Sequence, residues 1–260
     1  MLRIKFNNGL VLGGGDYMIE SPIQGLDTPK IRNADGVWTA MDGGYMLSQY
    51  YGQRTITVQG FFFDNCYENL DAKRKFLLQH LYMRYKSPIT IEDIGNNYFV
   101  TSGYITDVKA EITSITQGKY QITIQCPDPA LYACSSWEDD SPTVITQNLA
   151  VNDETSMFRQ GDMDARPIII LTGKFTNPII TIGENQFGLN VETTGSDKIT
   201  IDMNARTVVD KDGQSIIGDR MLSSKWLYLG EGSNIITIET DDNSDSGTAK
   251  LTYSAGYRGI

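Results

Sequence analysis

The chain has 260 residues, 40% of them hydrophobic and 21% charged, and a formal net charge of −10. That length holds one large domain or two of ordinary size, and the composition is that of a globular protein. No apolar run approaches the roughly 20 residues that cross a bilayer, and the acidic balance argues against phosphate-backbone binding as the main activity.

The first residues, Met1–Asn7, alternate like a strand and lack the longer apolar core of a signal peptide, so synthesis and folding in a cytoplasm are expected. Gly13-Gly14-Gly15 departs from a nucleotide loop, because Met18 stands where a last glycine is needed and no helix pattern follows; it reads as a turn. Gly25–Pro29 and Ala34-Asp35-Gly36 read as further turns. Asp42-Gly43-Gly44 precedes a stretch ending at Arg54, and Thr55–Phe61 alternates as a strand with one buried face.

Asn65–Lys86 is the one stretch with a helical period. Asn65 and Glu68 have capping-box spacing, and Arg84 and Lys86 suit the far end of the helix dipole. Leu70, Leu77, Leu78, Leu81, Tyr82 and Tyr85 fall on one broad face, while Ala72, Phe76 and Met83 make a narrower stripe nearly opposite. Two apolar faces fit a helix packed on its own sheet that offers the second stripe to a neighbour, and equally a helix sunk in one core. Ser87-Pro88 stops it. Strands follow at Ile89–Glu92, Tyr98–Val100, Tyr104–Val108 and Tyr120–Cys126, the last ended by Pro127-Asp128-Pro129.

Ala130–Arg166 is polar and reads as a connector with one irregular strand. The boundary is expected between Pro129 and Asp140, dividing the chain into 1–133 and 134–260. Beyond it, strands recur at Ile168–Leu171, Pro178–Ile182, Lys198–Asp202, Thr207–Val209, Trp226–Leu229, Asn234–Ile238 and Ala249–Tyr253, with a hairpin at Met203–Arg206 and a turn at Asp212-Gly213. Such spacing predicts a sandwich.

Chemistry is poorly represented. Three cysteines, Cys66, Cys126 and Cys134, form no C-x-x-C pair, and His80 is the single histidine, so neither a zinc site nor a catalytic base is expected. Asp241, Asn243 and Asp245 have calcium-loop spacing, but Gly247 comes one position late and Thr252 replaces the bidentate Glu, which favours a polar hairpin loop. Trp137, Trp226 and Tyr228 could stack on a sugar, yet Trp226 sits in an alternating run and reads as core. No catalytic, metal or cofactor-binding residue is therefore assigned, and no cofactor.

Several segments, in order and spacing, resemble the distal tail (Dit) proteins of siphophages. They are Tyr51–Ile56, Cys126–Pro129, Arg166–Ile169, the Ile201-Asp202 hairpin, Trp226–Ile235 and Tyr257–Ile260. The resemblance implies a mainly β fold: an N-terminal β-sandwich-like domain with one α-helix at about 66–86, then a galectin-like, jelly-roll type sandwich. It implies a structural, non-enzymatic protein of the virion tail tip or baseplate, whose N-terminal domains form a hexameric ring. Implied partners are further copies of itself, the tail tube protein, a tail-associated lysin or tip protein and receptor-binding proteins. Neither sequence-specific nucleic-acid binding nor membrane insertion is implied. DNA would pass through the ring, and an acidic surface would let it slide. The alternative is a carbohydrate-binding module acting through the C-terminal sandwich on cell-wall polysaccharide; a glycan-degrading enzyme is a more remote one.

Overall fold

The computed structural model describes residues 2–37, 42, 44–81, 85–93, 95, 97–242 and 244–260. The chain is mainly β and falls into two compact units, Met1–Pro142 with Tyr257–Ile260, and Thr143–Gly256.

The first unit contains β1 (Arg3–Phe6), β2 (Val11–Leu12), β3 (Tyr17–Gln24), β4 (Ile31–Val37), β5 (Gly44–Tyr51) and β6 (Arg54–Phe63), then α1 (Tyr67–His80). After the helix come β7 (Ser87–Asp93), β8 (Asn97–Ile112), β9 (Gln117–Cys126) and β10 (Leu131–Cys134). Its main sheet runs β2-β1-β7-β8-β9-β6-β3, with β10 also paired to β8. The alternation of β6 and β9 does what period two requires: Ile56, Val58, Phe62, Ile122 and Ile124 are fully buried. Two glycines admit rings between these strands, Gly118 beneath Phe62 and Gly60 beneath Tyr120, whose hydroxyl donates to the Met18 carbonyl at 2.9 Å.

α1 closes this core with Leu70, Leu77 and Leu81, each worth about 1.5–3 kcal/mol of burial. The helix is shorter than its sequence period suggests. It starts after Cys66, which makes no side-chain cap, and Asn65 instead gives its amide to Asp64 Oδ1 at 2.7 Å. It stops at His80, with Leu81 as its C-cap; Tyr85 is 79% exposed and Leu78 also faces out, while Tyr82, Met83 and Arg84 lie outside the described residues. β7 needs extended backbone from Ser87, and Pro88 enforces it there.

Other expectations shift in detail. Ala34-Asp35-Gly36 is no turn but lies inside β4, at a register shift between Ala34 and Asp35. The two short strands expected at Tyr98 and Tyr104 are one long β8, irregular between Ile105 and Asp107. The polar connector carries β10 and two strands of the second unit. The division falls after Pro142, later than the 133/134 boundary read from sequence, because Ser135–Asp140 is tied to β1 and β7. Arg3 lies over the Trp137 ring at 4.8 Å, the nearly buried Lys5 reaches Asp140 at 3.3 Å, and Thr90 donates to the Asp139 carbonyl at 3.1 Å.

The second unit has β11 (Val144–Leu149), β12 (Glu154–Phe158), β13 (Ile168–Thr172), β14 (Ile179–Ile182) and β15 (Asn185–Gly188). It continues with β16 (Lys198–Asp202), β17 (Thr207–Val209), β18 (Ser233–Glu239) and β19 (Thr248–Ser254). One antiparallel sheet is ordered β11-β19-β13-β16-β17 and the other β12-β18-β14-β15. Ile169, Leu171, Ile201 and Leu251 from the first meet Ile180, Ile182, Phe187, Ile236 and Ile238 from the second in one core. The β16–β17 hairpin forms where expected, with Asp202 Oδ1 accepting the Asn204 and Ala205 amides at 2.8 Å. Trp226–Leu229 is not a strand: Leu227 and Leu229 are buried in alternation, but Leu229 makes only an isolated bridge to Ala165.

Candidate assembly surfaces

Two features of the first unit carry exposed apolar side chains. The first is the outward stripe of α1. Phe76 is 44% exposed, its ring 3.7 Å from that of His80 one turn on and 6.5 Å from Tyr17. His80 Nδ1 lies 2.9 Å from the Phe76 carbonyl oxygen, so the sole histidine is spent on its own helix. Ala72 is exposed beside them. Phe76 and His80 form one wall of a depression of about 310 Å³ whose other walls are Asn8–Val11 and Gly14–Tyr17. The glycine run therefore shapes a turn and a surface hollow; Gly13 has φ +92° and its amide donates to the Tyr17 carbonyl at 2.8 Å.

Ionic contacts fix the start of this helix. Asp64 Oδ1 accepts from Asn69 at 2.9 Å and its Oδ2 lies 3.1 Å from Lys73, which also reaches Asp16 at 2.6 Å. The Asn69 and Lys73 hydrogen bonds hold the Asp64 carboxyl down at about 2. Tyr17, whose hydroxyl donates to the Lys73 carbonyl at 2.9 Å, is pushed up to about 12 by burial and then by Asp16.

The second feature is the ribbon of β4 and β5. The two strands pair with each other from Ile31↔Tyr51 to Val37↔Gly44 and form a two-stranded sheet of their own. A single Gly52 N–H to Lys30 carbonyl bond of 2.7 Å closes its base. Ile31 is 46% and Tyr50 64% exposed. A lone two-stranded ribbon is marginal in water.

At the root of the ribbon, three of the segments that carry the sequence resemblance converge. Arg54, only 1% exposed, donates Nε to the Pro129 carbonyl at 2.7 Å and Nη1 to the carbonyls of Gly25 at 2.6 Å and Asp27 at 2.7 Å. Its Nη2 donates to the Arg258 carbonyl. The neighbourhood of Tyr51–Ile56, the Cys126–Pro129 stop and the Tyr257–Ile260 segment are thus held by one guanidinium.

Residues 160–257 match the model of the siphovirus-type tail component, C-terminal domain. Apart from its last residue, the matched stretch lies in the second unit. Over its whole length the chain shares the fold of the Dit protein of SPP1, described as a paradigm of the hub adsorption apparatus in phages that infect Gram-positive hosts. The TM-score is 0.75 at 14% identity, covering 98% of this chain and 99% of that one. The phage P2 baseplate in its activated conformation with Ca aligns at TM-score 0.42 and 9% identity over 100% of both chains. Its form with Sr aligns at 0.40 and 9%, over 97% and 98%. No curated protein matches the chain in sequence.

Within the second unit, the residues weighed for chemistry have structural partners. Asp241 accepts from the Asn177 side chain at 2.8 Å, and Asp245 accepts from the Thr176 amide at 2.6 Å and lies 3.4 Å from Lys174; Asn243 lies outside the described residues. The Trp226 ring packs at 5.0 Å on Phe187 and under Arg220 at 5.7 Å, while Tyr228 is 45% exposed. Arg159, 2% exposed, repeats the Arg54 pattern, donating to the carbonyls of Gly230 at 2.7 Å and of Met163. In the first unit burial raises the Cys126 thiol and pushes Cys134 up to about 11, which favours the thiol over the thiolate at both. Sequence reasoning missed both buried arginines. For Arg54 the signal available was its place at the head of β6, where a charge is costly without dedicated acceptors; Arg159, just past the end of β12, carried no such signal.

Among the described residues, no helix is long and apolar enough to cross a membrane.

Proposed function

We propose that the protein is a structural distal tail protein, a subunit of a six-membered ring that joins the tail tube to tail-tip or baseplate proteins and lets DNA through. Its first unit forms the ring. Its second unit offers attachment points to a tail-associated lysin or tip protein and to receptor-binding proteins. It works by surfaces and carries no catalysis, and it acts at the virion tail tip after synthesis in the host cytoplasm.

The observation that carries this reading is a full-length Dit fold whose β4–β5 ribbon has no sheet partner in its own chain among the described residues. A closed ring with heterologous contacts gives every subunit a donor and an acceptor side, which is what a ribbon on one surface and a helix stripe on another would serve. Negative-stain microscopy of the protein with its neighbouring tail proteins should show rings with a central hole. Absence of rings with those partners present would refute the proposal.

A further inference from the structure

We infer that Tyr257–Ile260 is a closing strap that makes completion of the first unit, and with it ring assembly, wait until the second unit has been made. The folding half of this inference stands on the first unit alone; the assembly half rests on the ring reading above.

The strap follows Thr143–Gly256 in the chain, yet it belongs to the first unit. Each of its residues is held there. The Tyr257 ring stands edge-on to Phe99, centroids 5.6 Å apart at 81°. The Arg258 carbonyl accepts from Arg54, and its own guanidinium donates to the Tyr51 hydroxyl at 3.5 Å. Gly259 passes so close to the Gly25–Asp27 turn that a Cβ there would come within 3.1 Å of the Leu26 carbonyl oxygen. The Ile260 amide donates to that same oxygen at 3.1 Å, and its side chain packs on the core.

Arg54 sets the consequence. A guanidinium that is 1% exposed must exchange its hydration for fixed acceptors. Gly25, Asp27 and Pro129 are present as soon as residues 1–142 exist, but the Arg258 acceptor comes only after the whole second unit. Until then the rim formed by the Gly25–Asp27 turn, the Pro129 stop and the ribbon root lacks a stave. A subunit built to bind copies of itself thereby stays incomplete while still being synthesised.

Hydrogen exchange read by mass spectrometry tests this on three forms: the full chain, the full chain carrying Gly259→Val, and a chain stopped after Gly256. Segments 24–29 and 127–131 should exchange about tenfold faster or more in both altered forms, as loss of charge-assisted bonds at a local opening implies. Strands β13 and β18 serve as the internal reference and should not change. Equal rates in the first set, or equal acceleration of both units, would overturn the strap. Should the stopped chain fail to fold, Gly259→Val decides by the same criteria. Sedimentation with tail partners then reads assembly: strap variants should stay out of rings that the parent enters. Normal ring entry by the variants would overturn the gate. A parent that forms no ring refutes the ring reading and the gate, while the exchange result still judges the strap.

Discussion

Phe76→Asp separates a core role of the outward helix stripe from an assembly role. In the single subunit Phe76 is 44% exposed and its ring stacks on His80 and Tyr17, at 3.7 and 6.5 Å. Its removal forfeits about 1 kcal/mol of ring–ring contact. A carboxylate in the last turn, facing the negative end of the helix dipole, adds about 0.5 kcal/mol. With about 1 kcal/mol more for the burial lost from a half-covered side chain, the sum, about 2–3 kcal/mol, is a minor part of an ordinary stability of about 5–15 kcal/mol. At roughly 2–4 °C per kcal/mol, the melting temperature should fall by about 10 °C or less. Against a neighbouring subunit the balance differs, because burying the carboxylate there without a partner costs several kcal/mol. About 4 kcal/mol would weaken each subunit interface roughly a thousandfold. Thermal unfolding should therefore stay cooperative with a modestly lowered midpoint while rings disappear from electron micrographs. Global unfolding of the variant would place Phe76 in the core, and rings in parental yield would show that the stripe is not an interface.

Two further outcomes probe the interior and the surface charges. Gly118→Ala should lower the melting of the first unit by several degrees and spare the second, because a Cβ there would overlap the fully buried Phe62 ring and overpacking costs about 1–3 kcal/mol; calorimetry resolving both units checks it. The carboxyls of Asp64 and Asp197 are held at about 2 by hydrogen bonds led by Asn69 and Lys211 respectively. The unfolded chain then binds protons first, so this stabilisation is present above the ordinary carboxyl range near 4 and is lost as pH falls towards 2. Urea midpoints should drop over that window, and equal midpoints at pH 6 and pH 3 would reject the assignment.

What the sequence disclosed follows from which signals are local. β6, β9 and the central strands of the second unit show themselves because one face of each is buried, so apolar residues recur at every second position. β11 and β12 read as a single irregular strand in the polar connector because they pair on one side only, at the sheet edges; Val144 and Phe158 remain 61% and 73% exposed. Trp226–Leu229 shows the converse, since alternation reports burial and not pairing: its bonds go to Ala165 and to the Met203 sulfur instead of a ladder. The helix is overextended because Tyr82 and Tyr85 prolong the apolar period past the point where β7 claims the backbone. The strap is illegible for a different reason. Arg54 and Arg258 are joined across most of the chain, and no local pattern announces a hydrogen bond of that span.

The ribbon offers a decisive excision. Lys30 O and Gly52 N are already bonded at 2.7 Å, so residues 31–51 can be replaced by a short glycine turn without moving β6 or the Gly25–Asp27 loop. Ile31 and Tyr50 are exposed, and at the root the excision removes the bond from Arg258 to the Tyr51 hydroxyl, at 3.5 Å. The first unit should therefore still melt as one cooperative unit, lowered by the few degrees that loss of exposed bonds brings. Two strands that cannot sustain themselves in water persist when an edge or face elsewhere completes them, and in a ring that completion comes from the next subunit. Excision should thus abolish rings while leaving a folded monomer by sedimentation and calorimetry. A ring of normal yield without the ribbon would transfer the joining role to the helix stripe alone. Unfolding of the first unit would show that the ribbon completes its own chain, and the strongest support for a repeating subunit would be gone.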